Sequence, residues 1–177
     1  MRIDIDTERL RSTIRDIPDF PEPGVGFKDL TPLLADPVAF SSVVDAIVVR
    51  FGRGQIDKVV GIESRGFIIG APVAYHFGAG FVPLRKAGKL PAETIARTYD
   101  LEYGQATLEI HVDAFQPGER VLIVDDVLAT GGTARAACDL VEAAGGKISG
   151  LAFVVELGFL GGIERLAGYD TMSLVTY

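Results

Sequence analysis

The densest chemistry in the sequence lies in Val121 to Ala134, VLIVDDVLATGGTA, where two adjacent carboxylates, Asp125 and Asp126, precede Ala129-Thr130-Gly131-Gly132-Thr133. Paired glycines let a backbone approach a ligand closely, and consecutive N–H groups can then face one concavity. Thr130 and Thr133 add hydroxyl donors. Such a loop suits a phosphate. Several hydrogen bonds to an anion, at roughly 1.5–3 kcal/mol each, outweigh the roughly 0.3–1 kcal/mol available from a helix dipole. Carboxylates repel phosphate, so Asp125 and Asp126 must do something else. Two readings stay open: they accept hydrogen bonds from sugar hydroxyls, or they hold a hard cation such as Mg²⁺ beside the phosphates. Hydroxyls, a phosphate and a magnesium ion within reach of one loop describe a ribose phosphate.

Two further clusters could neutralise a second anionic group. Ser64-Arg65-Gly66 follows the apolar run KVVGIE and precedes a helical pattern, which places an arginine fork beside free N–H groups, a suitable clamp for a diphosphate. Arg85, Lys86 and Lys89 supply three cations within five residues. Other chemistries fail on spacing. GIESRG misses the GxSxG elbow of a hydrolase, because two residues separate Gly61 from Ser64. His76 and His111 sit in helical and strand patterns and read as structural, and no His/Cys cluster has zinc spacing. Gly145-Gly146-Lys147 lacks the hydroxyl and upstream glycine of a Walker loop, and Gly24-Val25-Gly26 lacks the third glycine of a dinucleotide fingerprint.

The elements that must position these groups alternate. Val121 to Val124 is a buried parallel strand by its apolar, β-branched run, and ARAACDLVEAAGG is the helix that follows, with Cys138 as a small core residue. Upstream, residues 4–15 read as a short amphipathic helix with Ile5, Leu10 and Ile14 on one side, and 16–23 as an extended proline-rich segment. Asp36-Pro37 starts a helix that ends at Gly52 to Gly54. Lys58 to Glu63 reads as a strand, FIIGAPVAYHFG as a helix despite Pro72, and Gly80 to Lys86 as a strand. Residues 87–104 show no strong periodicity and read as a long lid or binding loop. ATLEIHVDAF alternates as a half-buried strand, Ile148 to Leu157 is another buried strand, residues 158–168 a loop with a short helix, and Thr171 to Thr176 a last strand. The pattern predicts one α/β domain over 1–177: a mostly parallel twisted sheet flanked by helices, with a small N-terminal hood from about residues 1–35.

Composition sets the class. The chain has 177 residues, 48% hydrophobic and 23% charged, with a net charge of −7 and one cysteine. That length fits one full core. The negative charge argues against nucleic acid or an anionic membrane as a main partner. A lone cysteine fits a reducing compartment. MRIDIDTERLR lacks the apolar core of a secretory signal, and no apolar run approaches the roughly 20 residues of a membrane span, so the cytoplasm is expected.

VLIVDDVLATGGTA resembles the signature of the type I phosphoribosyltransferases, which bind 5-phosphoribosyl-1-pyrophosphate (PRPP). The resemblance extends over nearly the whole chain and points to the adenine-specific branch. It implies transfer of the phosphoribosyl group of PRPP to adenine, giving AMP and pyrophosphate, with Mg²⁺ that arrives with PRPP or sits on the protein near Asp125 and Asp126. On this resemblance Asp125 and Asp126 hold the ribose hydroxyls, and Ala129, Thr130, Gly131, Gly132 and Thr133 cradle the 5′-phosphate. ESRGF resembles the family's pyrophosphate loop, which assigns Ser64 and Arg65 to the pyrophosphate and implies a strained or cis peptide nearby. RKAGKLP resembles the segment that supplies cations to the same group. Lys89 stands nearest the matching position, with Arg85, Lys86 and Tyr103 as further contacts, some of them reaching a neighbouring subunit in a homodimer. PGVGFKDLTP resembles the adenine-binding segment: Phe27 stacks on the base, and Val25 and Lys28 line the pocket, Lys28 mainly through its main chain. Gly26 stands where a larger aliphatic residue is common. LEYG resembles the motif of a catalytic glutamate, so Glu102 exchanges a proton with a purine ring nitrogen, an assistance of about 10²–10⁴-fold. FVVEL resembles the strand after the PRPP loop, and Glu156 receives no role. Two rivals remain: a phosphoribosyltransferase for another base, and a regulatory module that binds PRPP without turnover.

Overall fold

A computed structural model describes residues 7–100 and 104–177. Its seven-stranded sheet contains β3 (Lys58–Ile62), β4 (Gly80–Lys86), β5 (Thr94–Asp100), β6 (Gln105–His111), β7 (Arg120–Leu128), β8 (Lys147–Glu156) and β9 (Thr171–Thr176). The strand order is β5-β6-β4-β3-β7-β8-β9. Pairing is parallel from β4 through β9, and antiparallel for β4 with β6 and β6 with β5. The sheet is therefore mostly parallel, as the alternation of elements predicts, with an antiparallel hairpin on one edge.

The central strands are apolar on both faces because helices cover both. Val59, Leu122 and Val124 face a cluster that includes Val43 and Ile47 of α3 (Pro37–Phe51) and Ile69 and Val73 of α4 (Arg65–Phe77). Val60, Val121 and Ile123 face the opposite cluster, with Ala137, Leu140 and Val141 of α5 (Gly132–Ala143). The side-chain period of two makes this division unavoidable. Asp36 starts α3 where the sequence predicts: its Oδ1 accepts the Val38 and Ala39 N–H groups, each at 2.9 Å. These bonds hold its carboxyl below the usual range.

The N-terminal segment is organised differently from the expected helix over 4–15. The helix α1 spans Thr7–Ser12, and Arg15–Ile17 is a strand, β1, paired antiparallel with β2 (Phe27–Asp29). Residues 1–6 lie outside the described residues. Leu10, Ile14, Leu30 and Leu33 (the last in α2, Thr31–Ala35) tie this segment to the α3/α4 side of the core.

The largest correction concerns 87–104. Thr94–Asp100 is a regular strand, not a loop, paired along its whole length with β6. Its residues are mostly exposed or half-buried, because it is an edge strand with one covered face. The alternation that betrays a strand in sequence is weak under such conditions.

Candidate active site

Going from β3 to β4 the chain moves one way along the sheet; β7 then returns to the other side of β3. Segments leaving the carboxyl ends of β3 and β7 diverge, and the crevice between them is where open α/β sheets bind ligands. A cleft of about 670 Å³ lies there, lined by the segments Gly24–Lys28, Ile62–Arg65 and Asp125–Ala134, and by Lys86, Tyr99, Phe153, Leu157, Phe159 and Leu160.

The acidic pair is inside β7, not after it: the strand continues to Leu128. Asp126 is 5% exposed and its carboxylate pairs with the Arg65 guanidinium. Asp125 Oδ1 accepts the Asp126 N–H at 2.9 Å. Burial, and after it the neighbouring Asp126 charge, push the Asp125 carboxyl well above its usual range. A buried carboxyl so placed favours a hydrogen-bond donor or a cation beside it. Gly66 makes this geometry possible. A Cβ there would stand 2.8 Å from the Val124 carbonyl oxygen and 3.0 Å from Asp125 Oδ1. Glycine thus lets the start of α4 lie directly on β7.

The loop from Ala129 to Thr133 leads straight into α5, whose first helical N–H groups lack intrahelical acceptors. Gly131 adopts φ +81°, the left-handed region that suits glycine. A Cβ on Gly131 would approach the Gly162 carbonyl oxygen to 2.4 Å, and one on Gly162 would approach the Ala129 carbonyl oxygen to 2.1 Å. The loop is thus braced from behind by the 3-10 turn Gly162–Leu166. Nothing in the sequence patterning singled out Gly162; two backbones in contact leave no local signal beyond glycine itself.

Arg65 heads α4 and connects two parts of the cleft. Besides its ion pair with Asp126, its guanidinium lies 5.4 Å from the centre of the Phe27 ring. Ser64 lines the cleft beside it, and the Glu63–Ser64 peptide is cis. Phe27 packs edge-on to Phe20 with ring centres 5.1 Å apart. Val25, Gly26 and Lys28 complete this wall, but the Lys28 ammonium meets Asp16 and lies 3.7 Å from the centre of the Tyr177 ring. Leu157, Phe159 and Leu160 add apolar surface that the sequence reading did not assign.

The basic group after β4 divides. Lys86 lines the cleft. Arg85 is engaged within the fold: its Nε and Nη2 donate to Glu63 at 3.3 and 3.4 Å, and Nη1 donates to the Lys89 carbonyl oxygen at 3.1 Å. The Lys86 N–H at 2.9 Å and this guanidinium hold Glu63 below the usual carboxylate range, against the effect of burial. Lys89 is exposed and is not among the cleft-lining residues. Glu102 and Tyr103 lie outside the described residues. His76 is exposed on α4, His111 is on β6, and neither lines the cleft. Cys138 is fully buried, and burial pushes its thiol up to about 12. Among the described residues, no helix is long and apolar enough to cross a membrane.

A family model for the phosphoribosyl transferase domain matches residues 36–166. The chain is 61% identical over 168 residues to the adenine phosphoribosyltransferase of Acidothermus cellulolyticus, a match that covers 95% of each chain. It is 61% identical over 163 residues to that of Thermobifida fusca, covering 92% of this chain and 93% of the relative. The crystal structure of the Rhodothermus marinus adenine phosphoribosyltransferase matches with a TM-score of 0.92 at 52% identity, over 97% of this chain and 98% of that one. The Saccharomyces cerevisiae adenine phosphoribosyltransferase, solved with an imino-altritol bisphosphate and adenine, matches with a TM-score of 0.89 at 40% identity, over 95% and 97% of the two chains.

Proposed function

This chain belongs to the phosphoribosyltransferase family, and from that premise we infer that it is an adenine phosphoribosyltransferase. It transfers the 5-phosphoribosyl group of PRPP to adenine, giving AMP and pyrophosphate, a step of purine salvage. The observation that carries the reading is the convergence, in one cleft, of the Ala129–Thr133 loop, the Asp125–Asp126 pair, Arg65 and the aromatic wall at Phe27. A phosphate, a ribose, a diphosphate and a planar base find their chemical complements there. The yeast relative, solved with adenine and a bisphosphate, supports a site that takes a base and a phosphorylated ligand together.

The roles follow from chemistry. N–H groups of the loop and of the α5 N-terminus bind the 5′-phosphate. Asp125 and Asp126 accept hydrogen bonds from the ribose hydroxyls. During reaction the bond from ribose C1 to pyrophosphate oxygen breaks, the leaving oxygen keeps the electron pair, and a ring nitrogen of adenine bonds to C1. Arg65 and Ser64, which line the cleft, face the charge that grows on the leaving group, with Lys89 outside the lining as a further cation for it, and stabilising such charge usually carries more of the rate than a single proton transfer. Phe27 stacks on the base, Val25 and Lys28 border it, and Glu102 exchanges its ring proton. Apolar walls exclude water, which would otherwise hydrolyse PRPP.

Magnesium fits the donor set as a partner of the substrate. Oxygen ligands suit it, and Asp125 and Asp126 lie beside the ribose–diphosphate position. PRPP oxygens would supply further ligands. When bound, the ion neutralises diphosphate charge. A homodimer in the cytoplasm completes the reading. Ile68 and Tyr75, 47% and 83% exposed on α4, give an apolar surface that a second copy would cover, and light scattering tests it.

The deciding experiment is AMP formation with PRPP, Mg²⁺ and each purine base in turn. Turnover with adenine alone is expected. Turnover with another base instead discards the roles given to Val25, Phe27 and Lys28. PRPP binding without turnover makes the chain a regulatory module.

A further inference from the structure

Strand β5 brings a residue to the phosphate loop that no motif contains. The Tyr99 ring packs on the α5 side of the core, and its hydroxyl accepts a hydrogen bond from Thr133 Oγ1 at 3.2 Å. Both residues line the cleft. The contact is part of a wider docking. A Cβ on Gly132 would meet the Asp100 carbonyl oxygen at 3.2 Å and the Tyr99 ring at 3.5 Å, so β5 lies directly against the loop. Farther along α5, Arg97 Nε stands 3.7 Å from Asp139 Oδ2.

We propose that Tyr99 is a positioning residue of the 5′-phosphate site, acting through the hydroxyl of Thr133. The inference rests on the phosphate-loop reading given above. A threonine hydroxyl has one hydrogen to donate and can accept as well; a phenol hydroxyl has the same capacity. With the site open, Thr133 donates to Tyr99. With a phosphate in the loop, Thr133 donates to a phosphate oxygen, and the Tyr99 hydroxyl rotates to donate to Thr133 Oγ1. The phenol thus keeps Thr133 hydrogen-bonded in both states and holds its side chain aimed at the ligand. It also makes the edge strand part of the phosphate site.

Ribose 5-phosphate tests this without turnover. Its Kd is measured by calorimetry for the wild type, Tyr99→Phe, Thr133→Ala, Thr133→Ser and the double variant Tyr99→Phe/Thr133→Ala, with thermal melts alongside. Tyr99→Phe keeps the ring and its packing. We expect it to weaken ribose 5-phosphate about fivefold, the scale of one hydroxyl hydrogen bond, and to raise the PRPP KM similarly while the adenine KM stays. The double variant binds no more weakly than Thr133→Ala, and Thr133→Ser retains most of the affinity. Wild-type affinity in Tyr99→Phe, a double variant in which the two losses multiply, or an equal rise in both KM values overturns the proposal. Wild-type binding of ribose 5-phosphate without turnover of any base sinks the enzymatic reading alone, while a wild type that binds none sinks both.

Discussion

Gly162→Ala places one methyl group against the Ala129–Thr133 loop from behind. The added Cβ would stand 2.1 Å from the Ala129 carbonyl oxygen and 2.9 Å from the Gly131 nitrogen. Both are backbone atoms, so no side chain can rotate away. Unstrained contact lies near 3.5 Å, so the two backbones must separate by on the order of 1 Å. Overpacking of this type costs about 1–3 kcal/mol. Against a typical stability of about 5–15 kcal/mol the fold survives, with a Tm lower by several degrees. The site is less tolerant, because a misplacement of about 1 Å can cost about 10²-fold in rate. Steady-state kinetics should therefore show kcat/KM for PRPP down by about two orders of magnitude. Gly26→Ala is the control: an added Cβ there meets nothing within 4 Å, and its PRPP KM should stay at the wild-type value. A Gly162→Ala enzyme with wild-type kcat/KM for PRPP would refute the claim that this turn braces the loop.

Three other outcomes are expected. Arg65→Ala removes the cation beside the buried Asp126 and the guanidinium over Phe27, and it should lower kcat/KM at least as far as Glu102→Gln does, as should Asp125→Asn; near-wild-type activity in Arg65→Ala refutes this allocation. Arg11 and Lys28 lie 4.5 and 3.7 Å from the centre of the Tyr177 ring, so Tyr177→Ala loosens the base-side wall. It should raise the adenine KM about fivefold, the scale of a cation–π contact of about 1 kcal/mol, while leaving the PRPP KM unchanged and with Tyr177→Phe neutral. Asp57, at the end of the sheet away from the cleft, accepts from the Arg120 N–H and guanidinium at 2.8–2.9 Å, which holds its carboxyl far below the usual range. A depressed folded-state pKa contributes stability above the unfolded value near 3.9 and loses it as pH falls further. The Tm gap between wild type and Asp57→Asn should be full at pH 7 and shrink below about pH 4; a gap constant with pH argues against the ion pair.

The sequence by itself determined the elements whose signals are local. The apolar run of β7, the acidic pair, the glycine–threonine loop and the helix after it are contiguous, and each follows from residue type and period. The same holds for Asp36-Pro37 at the start of α3 and for Arg65 at the turn after β3. Their placement at the carboxyl ends of adjacent strands follows from α/β alternation, so most of the cleft is legible in the sequence. Tertiary structure decided what depends on two distant segments meeting. Strand β5 owes its existence to pairing with β6 at the sheet edge, where exposure erases the alternation that marks a buried strand. Arg85 and Lys86 are adjacent cations in sequence, yet one is held by Glu63 while the other lines the cleft. Gly162 and Tyr99 act on the phosphate loop only because the chain returns to it twice. Contact between remote backbones, or between one hydroxyl and another, has no period and no composition, so nothing short of the packed chain reveals it.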